Sequence, residues 1–266
     1  MGGSMSYEDI LYEKVDGVAM IAINRPQKLN ALRSLTIEEL TAALRNASSD
    51  GRVGVIVIRG SGGRAFSVGG DMEEMKDLTR ETGRMFLGKF LDLILAIRRV
   101  PQPVLAAVQG YCLGGGNEIN LACDLSLASR DATFGQVGPK VGSSPLMGGT
   151  QLLPKALGEK RAREVIFLCR QYTAQEAYEM GWVNRVVPPE ALDQEVNAWC
   201  EEILSLSPQA LRVAKLSLNF DSDALYPSYL HAVELLSSLY GTEEFQEGVR
   251  AFFERRRPDF ARFRRL

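Results

Sequence analysis

The chain has 266 residues, 45% of them hydrophobic, with 31 basic side chains against 33 acidic ones and a net charge of −2. A chain of this size and content can bury a sizeable core, and its near-neutral balance gives no global attraction to nucleic acid or to an anionic membrane surface. The four cysteines, Cys112, Cys123, Cys169 and Cys200, lack metal-ligand spacing; the single histidine, His231, excludes a multi-histidine metal site and gives a Ser-His-Asp triad little to build on. Unpaired thiols and the lack of an apolar run near the roughly 20 residues of a membrane span predict a cytoplasmic protein that binds no membrane.

In chain order, residues 1–4 ahead of Met5 read as an expression scar. The β-branched runs Val18–Ile23 and Val53–Ile58 predict strands buried on both faces. Between them, Thr36-Ile-Glu-Glu39 has the spacing of a capping box, with Leu40, Ala43 and Leu44 following at helical spacing. A helix is predicted over 84–99, strand over 103–108, helix over 116–123 and strand over 125–128, which is an α/β core. Beyond Gly148-Gly149-Thr150 the periodicity turns helical over 160–169, 173–180, 192–204, 208–218, 229–240 and 244–256, with only 182–187 extended. The basic cluster Arg255–Arg257 reads as a solvated helix end and not as a nucleic-acid interface.

Two glycine-rich segments carry the chemistry. In Gln109–Glu118 an apolar run meets Gly114-Gly115-Gly116 and then a carboxylate, Glu118, at the opening of a helix. In Ala65–Asp71 a second loop carries Gly69-Gly70. Small residues let a ligand approach backbone N–H groups, and two loops each aiming one N–H at the same developing charge form an oxyanion hole. Tight turns alone would also account for the glycines, and the helix dipole alone for an acid at that helix end.

Asn24–Leu32, Ala65–Met75, Gly114–Asp124, Phe134-Gly-Gln136, Gly148–Gln151 and Ala177–Val187, in this order, resemble the crotonase, or enoyl-CoA hydratase/isomerase, superfamily. The resemblance implies a spiral of ββα units over residues 5–205 and a helical trimerisation region over 206–266. It also implies homotrimers or hexamers built as dimers of trimers, and acyl-CoA thioester substrates with coenzyme A as part of the substrate and no tightly bound cofactor or metal. It assigns Gly70 and Gly115 to the two oxyanion donors, Val68, Asp71 and Met72 to the adenine pocket, and Arg25 and Lys28 to the CoA phosphates. Arg255 and Arg256 match a basic end that reaches a neighbour's CoA.

Glu118 matches the first of two catalytic glutamates of the hydratases, whereas the second falls at Gly138 and is absent. Phe134–Ser143, Gly158–Glu164, Leu168–Tyr172 and the segment from Glu243 to Phe260 resemble the branch of dihydroxynaphthoyl-CoA synthase and 2-ketocyclohexanecarboxyl-CoA hydrolase. That branch implies a polar site serine at Ser143 and a tyrosine at Tyr240 contributed across a subunit contact. Its aspartate is Pro145 here. The resulting expectation is an enoyl-CoA hydratase working through Glu118, with Gly138 leaving room for a branched, aromatic or dicarboxylic acyl group. The alternatives are a carbon–carbon hydrolase or synthase on cyclic keto-acyl-CoA, an isomerase, or an inactive CoA-binding scaffold.

Overall fold

The computed structural model describes residues 6–264, so the expected scar lies outside the described residues. Strands β1 (Ile10–Val15) and β2 (Val18–Ile23) form an antiparallel hairpin, followed by helix α1 (Ser34–Ser49). Three units then wind in succession. The first is β3 (Val55–Gly60) and β4 (Ala65–Ser67) with α2 (Met72–Met75) and α3 (Arg80–Arg99). The second is β5 (Val104–Val108) and β6 (Tyr111–Leu113) with α4 (Gly115–Ala122), and the third is β7 (Leu125–Ser129) and β8 (Thr133–Gly135) with α5 (Gly149–Leu157) and α6 (Glu159–Leu168). The chain ends with β9 (Gln171–Thr173), α7 (Ala174–Glu179), β10 (Arg185–Val187), α8 (Leu192–Leu204), α9 (Pro208–Asp223), α10 (Tyr226–Ser237) and α11 (Glu243–Phe253).

Each unit gives its first strand to a six-stranded sheet, β1-β2-β3-β5-β7-β10, and its second to a four-stranded sheet, β4-β6-β8-β9. Pairing is parallel except at β1/β2 and β8/β9. This is the expected spiral of ββα units. β3 and β5 are buried on both faces, as their unbroken apolar runs predict: Ile56 and Ile58 join Leu40, Leu44 and Ile94 in the main core, while Val55 and Val57 face Leu192, Val196 and Cys200 of α8. Among the described residues no helix is long and apolar enough to cross a membrane.

Two local expectations are corrected. α1 begins at Ser34, not after Thr36, because Thr36 and Glu39 have other work: the Thr36 hydroxyl donates to Asp9, and the Glu39 carboxylate accepts the backbone N–H groups of Glu8 and Asp9 at 2.8 Å each. The helix expected from Arg84 starts at Arg80, capped by the Thr79 hydroxyl on the N–H of Thr82. The box expected at Thr173 and Glu176 is present and opens α7. α9 is tied back to the core through Lys215, whose ammonium reaches Asp124 at 2.7 Å and the carbonyls of Gln102 at 2.9 Å and Ile97 at 3.1 Å.

Candidate active site

The two glycine loops follow neighbouring parallel strands of the small sheet, β4 and β6, so they emerge side by side. Their contact is close: Gly69 takes φ +93°, and a Cβ on it would lie 2.8 Å from the backbone nitrogen of Gly115. Flanking bonds fix the first loop. Leu32 N–H donates to Gly69 O at 2.8 Å and Asp71 N–H to Leu32 O at 2.9 Å, which turns the N–H of Gly70, between them, to the other side. Gly115 opens α4, where the first N–H groups have no intrahelical acceptor. Neither N–H has an acceptor among the described residues, and both glycines line one cavity of about 260 Å³.

Glu118, one turn into α4, lines the same cavity and is 5% exposed. A single carboxylate oxygen, Oε1, accepts the N–H of Met147 at 2.8 Å and of Gly149 at 3.0 Å. Burial pushes its pKa up to about 7, against the two backbone bonds that stabilise the charged form. A carboxyl with such a pKa has the chemistry to accept a proton and to return it near neutrality. α4 is held from behind by Trp182, whose indole N–H donates to Asn117 at 3.0 Å, and by Gly114 N–H on Gly135 O at 3.0 Å.

Ser143 and Tyr240 also line the cavity, and their hydroxyls are hydrogen-bonded. Tyr240, expected from across a subunit contact, lies over the cavity of its own chain, its ring edge-on to Phe245 at 5.1 Å between centroids. Burial, with the Glu118 charge, raises its pKa and keeps the phenol neutral. Val68 and Met72 are brought to the same rim. Gly138 lines the cavity too, but it opens no room: a Cβ there would lie 3.2 Å from the backbone of Ser143 and Ser144, which fill that side. The wider space is bounded by Ile37 of α1, Phe86, Leu87 and Phe90 of α3, Met75 and Leu236. This apolar wall escaped sequence reasoning, although Phe86 and Phe90 stand one helical turn apart.

The basic residues are placed differently from expectation. Arg25 is buried, pairs with Asp71 at 2.8 Å, lies 3.6 Å from Asp9 and donates to Ala31 O at 2.6 Å. Its ion pair with Asp71 makes it a brace for the Gly69–Asp71 loop. Asp71 is likewise committed, to Arg25 and to capping α2 through the N–H of Glu73 at 3.0 Å. Replacing Arg25 by Met leaves the buried Asp71 carboxylate without its cation, while Asp9 keeps Arg33 at 2.7 Å; we expect a loss of about 3 kcal/mol in urea unfolding. Intact stability with a raised KM for CoA thioesters would instead return Arg25 to the phosphates. Arg256 is held by Glu247 at 2.6 Å within its own chain, while Lys28 and Arg255 are exposed. Among the described residues no group of three or more His, Cys, Asp or Glu side chains is arranged to hold a metal.

The enoyl-CoA hydratase/isomerase family model matches residues 13–263. An enoyl-CoA hydratase from Mycobacterium avium subsp. paratuberculosis K-10 is 32% identical, with a TM-score of 0.88 over 96% of this chain and 99% of that one. An enoyl-CoA hydratase/isomerase from Xanthobacter autotrophicus Py2 is 33% identical, with a TM-score of 0.85 over 97% and 94% of the two chains. An enoyl-CoA hydratase from Bacillus anthracis is 32% identical, with a TM-score of 0.79 over 94% and 98%. With two glycine loops touching beside a buried carboxyl, and a family match running almost end to end, the chain is an enzyme that belongs to the enoyl-CoA hydratase/isomerase family of the crotonase superfamily.

Proposed function

We propose that the enzyme is a hydro-lyase that adds water to an α,β-unsaturated acyl-CoA thioester. The observation that carries this reading is Glu118, the one charged side chain among the described residues lining a mostly apolar cavity, with its pKa raised to about 7 beside the two unpaired N–H groups. Water oxygen bonds to the β carbon as its proton passes to Glu118; the π electrons move to the thioester oxygen, where Gly70 and Gly115 stabilise the enolate. Glu118 then returns the proton to the α carbon, so one carboxyl serves both transfers. Val68 and Met72 at the rim suit the adenine end of CoA, and exposed Lys28 and Arg255 suit its phosphates by charge.

The apolar wall supports an uncharged, branched or aromatic acyl group and argues against a dicarboxylic one. An apolar cavity of about 150 Å³ holds a benzene ring, so about 260 Å³ has space for a ring and part of its linker. A distal carboxylate would be buried near Glu118 without a counter-charge. We expect kcat/KM for an aryl-bearing enoyl-CoA to exceed that for a dicarboxylic analogue by about 10²-fold or more. Mass spectrometry of both reactions, each scored for gain of one water, checks this; equal turnover would sink the assignment of the acyl class.

Ring hydrolysis of a cyclic keto-acyl-CoA is the second reading, favoured by the Ser143–Tyr240 pair and weakened by the buried Pro145 where that branch has an acid. It opens a ring, whereas isomerisation changes no mass and an inactive scaffold turns over nothing. We also propose self-association as a trimer or hexamer through residues 206–266, with the trimer-forming surface carried by α9. Val213, Leu216 and Phe220 form one exposed apolar stripe on that helix, Phe220 at 81% exposure. Four buried free thiols suit a cytoplasmic setting.

A further inference from the structure

Two glycines, Gly83 and Gly88, interrupt α3, although glycine is the least favourable residue of a helix interior after proline. A Cβ on Gly88 would meet nothing within 4 Å, so packing does not demand that glycine. Gly83 is different. A Cβ there would lie 2.1 Å from Cδ2, 2.9 Å from Cε2 and 3.1 Å from Cγ of Tyr240, so the tyrosine ring rests against the bare backbone of α3. From that seat the side chain reaches across to Ser143, to which its hydroxyl is hydrogen-bonded. Tyr240 lines the cavity, whereas Gly83 and the fully buried Phe245, which meets the ring edge-on, do not; both therefore stand behind it. α3 runs the length of this space. Phe90 stands beside the Gly115 donor, since a Cβ on Gly115 would lie 3.2 Å from its Cζ. Phe86 and Leu87 line the next turn and Gly83 follows one turn further. At 1.5 Å per residue, the wall extends about 10 Å from Phe90 to the seat of the Tyr240 ring.

We infer, on the acyl-thioester reading of this cavity, that Gly83 is the residue that sets the size of the acyl group. Its missing side chain lets the Tyr240 ring sit back against α3 as the far wall of the cavity. A methyl at residue 83 would have to push the ring away by about 1.4 Å to restore the roughly 3.5 Å of ordinary carbon contact. Phe245 blocks retreat on its side, and the cavity is the open space that remains. The displaced ring then takes up room that a long or aryl-bearing acyl group needs. A short acyl group, held near Phe90 and the two N–H groups, does not reach it.

The test compares Gly83→Ala with Gly88→Ala, which adds the same methyl to the same helix where it meets nothing. Dissociation constants are measured by titration calorimetry for butyryl-CoA, octanoyl-CoA and β-phenylpropionyl-CoA, saturated thioesters whose binding needs no chemical step. One methylene too many in an apolar pocket costs about 10-fold or more, so Gly83→Ala is expected to weaken octanoyl-CoA and β-phenylpropionyl-CoA by about that factor. Butyryl-CoA should change by less than about twofold, and Gly88→Ala should leave all three within about twofold. Unchanged selectivity in Gly83→Ala, or equal weakening of all three ligands, overturns the inference, the latter meaning that Gly83 only supports the fold. Should Gly83→Ala not fold, Tyr240→Leu reads the same wall in the opposite direction. It is expected to tighten octanoyl-CoA relative to butyryl-CoA by about 10-fold, and an unmoved ratio overturns the inference. If the thioesters bind in the expected order but no enoyl-CoA gains water, the hydratase reading fails and the size limit stands. If none of them binds the unmodified enzyme, both fail.

Discussion

Glu118→Gln is expected to abolish turnover while making the protein more stable at alkaline pH. The activity loss follows from removing the group proposed to take and return the proton, a role worth about 10²–10⁴ in rate. The stability gain follows from the raised pKa. Glu118 holds its proton more tightly folded than unfolded, so its contribution to stability is unimpaired below the unfolded value of 4.5 and is lost as pH rises toward about 7. At 1.36 kcal/mol per unit, the ionised carboxylate costs about 3 kcal/mol above neutrality. Glutamine avoids that cost and keeps the local bonds, because Oε1 alone accepts both Met147 and Gly149, and an amide oxygen can do the same. Urea unfolding of both proteins at pH 4.5 and pH 8 checks this: the variant's advantage should appear only at the higher pH. In the unmodified enzyme, kcat/KM for hydration should rise with pH to a plateau above about 7, since the base form is the ionised one. An advantage of equal size at both pH values, or retained turnover, would remove Glu118 from the proposed mechanism.

The legibility of this site follows from how local each signal is. β2, β3, β5 and β7 are apolar runs whose alternate residues fill two cores, so composition alone reveals them. The four strands of the small sheet have three residues each and show no period; their hydrogen bonds join segments far apart in sequence. The glycines and Glu118 were readable because a tight loop before a helix leaves a local mark. Charge was a poorer guide. Arg25 and Lys28 are both basic and three residues apart, yet one is buried against Asp71 and the other is exposed, a difference set by a loop some forty residues on. Thr36 and Glu39 show the same failure in miniature, since a capping-box spacing is equally usable for tying a helix to Glu8 and Asp9, just ahead of β1. Gln136 gave only a motif match, because the burial of its amide without a partner among the described residues is invisible in sequence.

Gly69→Ala is expected to lose activity about as severely, by breaking the oxyanion hole without touching either donor residue. Two effects act together. An L side chain is disfavoured at φ +93°, and the new methyl would lie 2.8 Å from Gly115 N and 3.2 Å from Leu113 O. To relieve that overlap the β4 and β6 loops must part by several tenths of an ångström, and the methyl crowds the Gly115 nitrogen itself. Each oxyanion donor is worth about 10²–10³ in kcat, so partial loss of both is expected to lower kcat by about 10³-fold or more. The strain is local, of order 1–3 kcal/mol, so the variant should remain folded with a modestly lowered Tm. Exchange of the α protons of a saturated acyl-CoA in deuterated water should fall with hydration here, because both reactions pass through the enolate. The coupling of the two loops can then be read by combining Gly69→Ala with Glu118→Gln. If the N–H groups and the carboxyl act on one bound thioester, the double variant should be scarcely slower than the worse single one. Fully multiplicative losses would mean that the loops and the carboxyl do not share a substrate, and the cavity would not be the active site.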